Sequence, residues 1–211
     1  MSRYRTVGLV ALLAALLVVG TAAAQTPVTF GVTGGVNVAT VTIDEPDFTN
    51  QPTSMTGAVA GVFFGTPTSK PAALMIEALY SRKGTRIDDL LTDANGQLAD
   101  LAVDVDYFEI PVLGRFTVGR NGRMSGFGLA GVAVAFKMND TQKVGGVKLE
   151  GDARAPLKSY DTGLTFGGGF EFDKVLIDFR YTFGLVNVDD SVDPSTTKNR
   201  AWTIKAGYRF W

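Results

Sequence analysis

Charged residues, other polar residues and glycine occupy every second position of several segments whose intervening positions are apolar or aromatic. In the segment 202–210, Lys205 and Arg209 share one face, because successive side chains of a β-strand point to opposite sides. We predict that such residues meet in a polar interior; the set is Glu77, Glu109, Arg115, Asp178, Arg180, Lys205 and Arg209. Two roles suit this chemistry, namely a selectivity ring or proton path, and a plug of paired charges.

Catalysis by these residues has little support in the rest of the chain. The sequence contains no histidine and no cysteine, so a hydrolase would need a carboxylate, lysine or tyrosine base. Residues 126–131 match the dinucleotide-binding fingerprint in letters, but 132–136 continue as a strand, whereas that fingerprint must open a helix. We therefore predict no enzyme activity, no catalytic residue and no cofactor.

Carboxylates also cluster in two polar stretches: Asp88, Asp89, Asp93, Asn95, Asp100, Asp104 and Asp106, and then Asp189, Asp190 and Asp193. Such oxygen ligands could hold calcium or bridge to lipopolysaccharide through divalent ions. Residues 93–96 begin like a calcium-binding loop, but the remaining ligand spacing is missing. We interpret these stretches as solvated acidic loops and predict no metal site.

The elements that must position the charges are β-strands. Alternation of polar and apolar residues predicts eight strands, at 28–40, 55–65, 72–83, 101–118, 123–136, 159–172, 174–188 and 200–210. Eight is the smallest strand number expected of an outer-membrane barrel. We predict an all-β fold, an eight-stranded antiparallel up-and-down transmembrane β-barrel that occupies residues 25–211. Pro111 lacks an amide donor and is expected to mark a bulge or register break.

Alternation does not reveal which face is inside, and a soluble lipocalin-like barrel would show the same pattern reversed. The aromatic residues favour a lipid-facing exterior because they gather near strand ends, as interfacial girdles do. One group is Phe30, Phe64, Phe116, Phe172, Tyr208 and Phe210, and the other is Tyr80, Tyr160, Phe183 and Trp202. The charged face then lines the interior, which eight strands leave just wide enough for side chains to fill. We therefore favour the plug, because a carboxylate confined there requires a paired cation.

The connections between the predicted strands alternate in length. Short ones lie at 66–71, 119–122 and 173, and long ones lie at 41–54, 84–100, 137–158 and 189–199. Outer-membrane barrels have short periplasmic turns and longer extracellular loops. The alternation therefore predicts that both termini lie in the periplasm.

The first 24 residues have the features of a cleavable signal peptide. Arg3 and Arg5 precede an apolar stretch at 7–19 and small residues at 21–24, so we expect cleavage between Ala24 and Gln25. The apolar stretch is too short for a membrane anchor. Of the 20 basic residues two lie in this segment, which leaves 18 against 21 acidic ones. The mature chain has no basic stripe, which argues against nucleic acid as a partner.

Residues 107–111, Tyr-Phe-Glu-Ile-Pro, resemble a run found in the small outer-membrane β-barrel family called PorT-like, whose members are eight-stranded barrels similar to OmpX and OmpA. Similar stretches are 34–37, 78–84, 179–185 and 207–210. The Glu-Ile-Pro element is fairly specific, whereas the glycine and aromatic pieces are weak alone. Trp211 departs from the family's terminal phenylalanine. The resemblance implies an outer-membrane location in a Gram-negative cell, but no assigned activity.

These features together predict a monomer that contacts outer-membrane lipid and the barrel-insertion machinery, which would recognise Tyr208, Phe210 and Trp211. The expected role is structural or surface interaction, meaning binding, adhesion or envelope integrity, through a surface or periplasmic protein partner that the sequence does not identify. Two alternatives stay open, a narrow porin for small solutes and an accessory factor in secretion or outer-membrane assembly.

Overall fold

The computed structural model describes residues 28–44, 52–67, 71–92, 96–153, 155–189 and 196–210. The predicted signal peptide with its cleavage site at Ala24 and Gln25, and the terminal Trp211, lie outside the described residues. No helix in the described part of the chain is long and apolar enough to span a membrane.

Nine β-strands make up the described structure, and they form a single antiparallel sheet. They are β1 Thr29–Asp44, β2 Thr53–Gly65, β3 Ala72–Thr92, β4 Leu98–Asn121, β5 Met124–Val144, β6 Val147–Lys148, β7 Tyr160–Phe172, β8 Val175–Gly184 and β9 Thr196–Arg209. A short 3₁₀ turn, Gly151–Ala153, follows β6.

Eight of these strands close into a ring. Each pairs with its neighbour along the chain, β1 pairs with β9, and the two-residue β6 only adds a hairpin to the end of β5. This ring confirms the predicted all-β, antiparallel, up-and-down barrel. We call the end that carries Thr29 and Arg209 the terminal end, and the opposite end the loop end.

The turns at the terminal end are tight. The β4–β5 and β7–β8 hairpins each have two residues between their last paired positions, Asn121 with Met124 and Phe172 with Val175. Gly122 and Asp173 supply the positive φ angles, 57° and 56°, that such short turns require. The short connections predicted from sequence therefore all lie at one end.

Aromatic side chains on the outer face form a continuous row near the loop end. Tyr80 on β3 pairs with Phe108 on β4, which pairs with Phe136 on β5, which pairs with Tyr160 on β7. All four are exposed. We call these four residues the aromatic row. At the terminal end Phe30 contacts Phe64 and Phe210, with ring centroids 4.9 and 5.5 Å apart. Aromatic residues thus bound the outward apolar band at both ends.

Three strands continue well beyond the aromatic row. β3 runs on to Thr92, β4 begins at Leu98 and β5 ends at Val144, so most of the predicted loop 84–100 is strand. Their outward residues become charged there: Arg82 lies 3.8 Å from Asp104 and 3.6 Å from Asp106, and Tyr80 donates a hydrogen bond to Asp106. The prediction of a loop at 84–100 was wrong for most of its length. The outward side chains become polar at the aromatic row, but the strands themselves continue.

Pro111 does not cause the register break predicted for it. The register between β3 and β4 is the same at the pairs Ile76–Val112 and Leu79–Glu109, with two unpaired positions between them, and the β4–β5 pairing is continuous through Pro111. The missing amide therefore interrupts only the hydrogen bonds to β3. The bulges in β4 lie elsewhere, near Tyr107 and Gly119.

An arginine in the outward apolar band should be costly. Val112 is 37 % exposed and lies midway along β4 between the outward Phe108 and Phe116. Because hydrocarbon cannot solvate a guanidinium, Val112→Arg should reduce the free energy of unfolding in phospholipid vesicles by about 2–4 kcal/mol. The matched control is Leu98→Arg, on the same strand beyond the aromatic row and 69 % exposed. Equal losses for the two variants in urea titrations would contradict a lipid-facing band.

Candidate functional site

The centre of the barrel holds four charged side chains. Arg180 on β8 binds Glu77 on β3 in a bidentate pair, with Nη1–Oε2 at 2.7 Å and Nη2–Oε1 at 2.9 Å. Lys205 Nζ on β9 donates to the same Glu77 Oε2 at 2.7 Å, and Arg180 Nε lies 2.6 Å from Asp178 Oδ1. All four are at least nine-tenths buried, and their formal charges cancel. The cluster spans the lumen, since two strands separate β3 from β9 and three strands separate β3 from β8 around the ring.

A second cluster crosses the lumen near the terminal end. Glu171 on β7 pairs with Arg115 on β4 and, at 2.7 Å, with Arg209 on β9. The guanidinium of Arg115 lies 4.2 Å from the centre of the Phe127 ring, a cation–π geometry. Buried apolar side chains pack around this level: Phe63, Met75, Leu113, Phe127, Leu129 and Leu176. One carboxylate between two arginines leaves this cluster with one positive charge.

A third cluster lies just inside the aromatic row. Lys83 Nζ on β3 is 2.8 Å from Glu109 Oε2 on β4. On the far wall Asn199 on β9 donates to Asp161 Oδ2 on β7 at 2.8 Å and to the Tyr107 hydroxyl at 3.4 Å. Asp161 is 4 % exposed, and its other oxygen, Oδ1, accepts no hydrogen bond. With one lysine and two carboxylates, this cluster has one negative charge.

The structure places all seven sequence-predicted lumen residues on the inner face and in these clusters. Sequence reasoning left three others out of the site: Lys83, Asp161 and Glu171. The same alternation puts them on the inner face, so the signal was available. The predicted set also had three acids against four bases, and this imbalance could have pointed to a missing carboxylate.

Little space is left among the central side chains. The cavity bounded by Asn37, Glu109, Arg180 and Lys205, among others, has a volume of about 20 Å³, which is room for about one water molecule. Asn37 fills the wall beside it, donating to Ser81 Oγ at 2.9 Å and accepting from Thr203 Oγ1 at 2.8 Å. Within the described residues, the lumen is therefore closed at the centre of the barrel.

Polarity inverts inside the barrel beyond the aromatic row. There apolar side chains line much of the inner face around a cavity of about 170 Å³. Its lining includes Val41, Ile43, Ile87, Val103, Val105 and Leu157, together with the polar residues Lys83, Thr85, Tyr107, Asp189, Thr197 and Asn199. We call this cavity the apolar chamber. Its floor is the third charge cluster, because Lys83, Tyr107 and Asn199 belong to both.

The acidic stretches do not form a metal site within the described residues. No group of three or more carboxylate, histidine or cysteine side chains in that part of the chain could hold a metal ion. Asp104 and Asp106 instead lie beside Arg82. Asp93, Asn95, Asp190 and Asp193 lie outside the described residues.

Comparison with known families agrees with this architecture. Residues 23–190 match the model of the family described as "Outer membrane protein beta-barrel domain". The chain belongs to this family. It is therefore an outer-membrane β-barrel protein, and its apolar band contacts membrane lipid. No curated protein matches the chain significantly.

Several solved structures are similar to the chain at low sequence identity. Ail, the attachment invasion locus protein of Yersinia pestis, crystallised with the heparin analogue sucrose octasulfate, is 15 % identical with a TM-score of 0.45; the match covers 87 % of this chain and 99 % of Ail. OprG of Pseudomonas aeruginosa is 14 % identical with a TM-score of 0.49, covering 88 % and 97 %. Neisserial surface protein A is 12 % identical with a TM-score of 0.47, covering 87 % and 99 %. Likeness at this level says nothing about function.

Removing the central carboxylate should destabilise the barrel strongly. Glu77→Gln leaves Lys205 without its partner and Arg180 with Asp178 alone, and one-sided loss of a buried pair costs about 3–5 kcal/mol. The matched control is Asp104→Asn, which removes a carboxylate beside the exposed Arg82 and should cost less than about 1 kcal/mol. Urea unfolding in vesicles measures both.

A double variant separates charge balance from packing. Glu77→Gln combined with Lys205→Met removes one charge of each sign and keeps the Arg180–Asp178 pair, so it should be more stable than Glu77→Gln alone. Strictly additive losses in this double-mutant cycle would show that the buried charges are not coupled.

Proposed function

We propose that this protein acts through its surface, as a closed barrel of the PorT-like kind that binds, adheres or maintains envelope integrity. The closed lumen is the observation that carries this proposal. Charge clusters cross the lumen at two levels and the central cavity holds about one water, so a solute path would require breaking buried ion pairs. The narrow-porin alternative is disfavoured for the same reason.

The parts that remain available for interaction lie at the loop end. β3, β4 and β5 have 21, 24 and 21 residues, whereas about 9–11 residues suffice to span a membrane. The excess extends past the aromatic row as paired strands with charged outward faces. A rigid sheet that projects from the membrane offers a preformed binding surface at small entropic cost.

We further propose that the loop end faces the cell exterior and that both termini are periplasmic. The tight turns at the terminal end support this orientation, because outer-membrane barrels have short turns on the periplasmic side. A signal peptide cleaved between Ala24 and Gln25 would deliver the chain, and the end segment with Tyr208, Phe210 and Trp211 would engage the insertion machinery. The proposed protein is monomeric and carries out no catalysis.

Single-cysteine variants test the orientation without background, because the chain contains no cysteine. Leu98→Cys lies at the loop end, and Asn121→Cys lies in a turn at the terminal end. A membrane-impermeant maleimide added to intact cells should label Leu98→Cys and should label Asn121→Cys only after the outer membrane is permeabilised. The reverse pattern would place the termini outside.

Shortening the projecting hairpin tests the surface role. Ile87 pairs with Leu101, so replacing residues 88–100 with Asn-Gly would join these two residues by a tight turn and keep the membrane barrel. In cells that lack the native protein, full-length chain should restore surface attachment and detergent resistance. The shortened chain should insert but restore neither.

Two controls accompany this test. Heat-dependent gel mobility should be the same for both chains, which shows that the shortened barrel folds and inserts. Both purified barrels should also stay silent in planar bilayers, because the buried clusters remain. Full rescue by the shortened chain would contradict the surface role, and stepwise conductance of the full-length barrel would favour the porin.

A further inference from the structure

The apolar chamber has the size and lining of a small-molecule site. Its volume of about 170 Å³ is close to the 150 Å³ of an engineered apolar protein cavity that binds benzene. Its walls come from β1, β3, β4 and β9, from Leu157 between β6 and β7, and from Val188 between β8 and β9. A ligand the size of one six-membered ring would fill it, whereas a lipid acyl chain would not fit.

The floor of the chamber is polar and negatively charged overall. Lys83 Nζ is occupied by Glu109 at 2.8 Å, so the lysine is already neutralised. Asp161 lies behind the chamber lining and is linked to it through Asn199. Asn199 lines the chamber and donates to Asp161 Oδ2 at 2.8 Å. The other oxygen, Asp161 Oδ1, is buried and accepts no hydrogen bond.

A buried carboxylate oxygen without a donor is energetically unfavourable, and a cationic donor satisfies it better than a neutral one. One lysine faces two carboxylates here, and within low-dielectric walls the field of this net negative cluster acts over several ångströms with little screening. Anions are disfavoured here by the same charges. Apolar walls over an anionic floor therefore select a molecule with an apolar body and a positively charged end.

We propose that the apolar chamber binds a small primary ammonium compound with a single apolar ring, its ring among Val41, Val103 and Val105 and its ammonium directed to the Tyr107–Asn199–Asp161 floor. Access from outside the cell rests on the orientation proposed above. Binding itself does not, so a test on purified protein distinguishes failure of this inference from failure of the proposed function.

The test titrates purified barrel in non-ionic detergent with three fluorinated probes followed by ¹⁹F NMR. The probes are 4-fluorobenzylammonium, 4-fluorobenzyl alcohol and 4-fluorobenzoate, which share a ring and differ in charge. The ammonium should bind at least about tenfold more tightly than the alcohol, and the benzoate should bind more weakly still. Asp161→Asn keeps the shape of the side chain and should remove most of the preference for the ammonium.

Two tryptophan variants control for probes that partition into detergent. Val105→Trp fills the chamber and should abolish binding, whereas Val132→Trp places the same side chain on the lipid face and should change nothing. Heat-dependent gel mobility shows which variants are folded. Should Val105→Trp prove unfolded, Asp161→Asn alone decides. Equal affinities for ammonium and alcohol, or an unchanged preference in Asp161→Asn, would overturn the proposal.

Discussion

Loss of solvation is the constraint on which the rest of this barrel depends. Eight strands enclose a lumen too narrow for bulk water, so the charged side chains inside are stabilised by pairing with one another. Glu77 reaches across the lumen to Arg180 and Lys205, and Glu171 joins Arg115 to Arg209. These contacts tie together strands that share no backbone hydrogen bonds. The closed lumen and the stability of the wall are therefore consequences of the same pairs.

The surroundings of the strands change at the aromatic row while the strands themselves continue. Below Tyr80 and Phe108 the outward residues are apolar and the inward ones include the charge clusters. Above them Arg82, Asp104 and Asp106 point outward and Val105 points inward. The same paired strands therefore run from lipid into water without a break, because only the identity of alternate side chains has to change. This reversal creates the apolar chamber directly above the charged plug.

Alternation was sufficient to predict the eight strands and the outward aromatic faces, because a period of two depends on local geometry alone. It was insufficient for the strand ends. Beyond the predicted strand end at residue 83, Gly84, Arg86 and Asp88 were predicted to lie in a loop, although they continue β3. The prediction for Pro111 was wrong for a related reason. A proline within a strand locally favours a bulge, but the continuous pairing of β4 with β5 preserves the register. Sequence also gives the face of a residue and not its height, so the pairing of Glu77 with Arg180 across the lumen was not predictable.

Height along the barrel axis decides how the lumen charges act together. The plug is neutral as a whole, with five carboxylates against five basic groups: Glu77, Glu109, Asp161, Glu171 and Asp178, and Lys83, Arg115, Arg180, Lys205 and Arg209. The excess positive charge lies at the terminal end and the excess negative charge lies beneath the apolar chamber. The central cluster is neutral, so it adds no net charge between these two ends. The plug is thus an axial dipole whose negative end meets the apolar chamber, and the pairs that close the lumen also set the direction of this dipole.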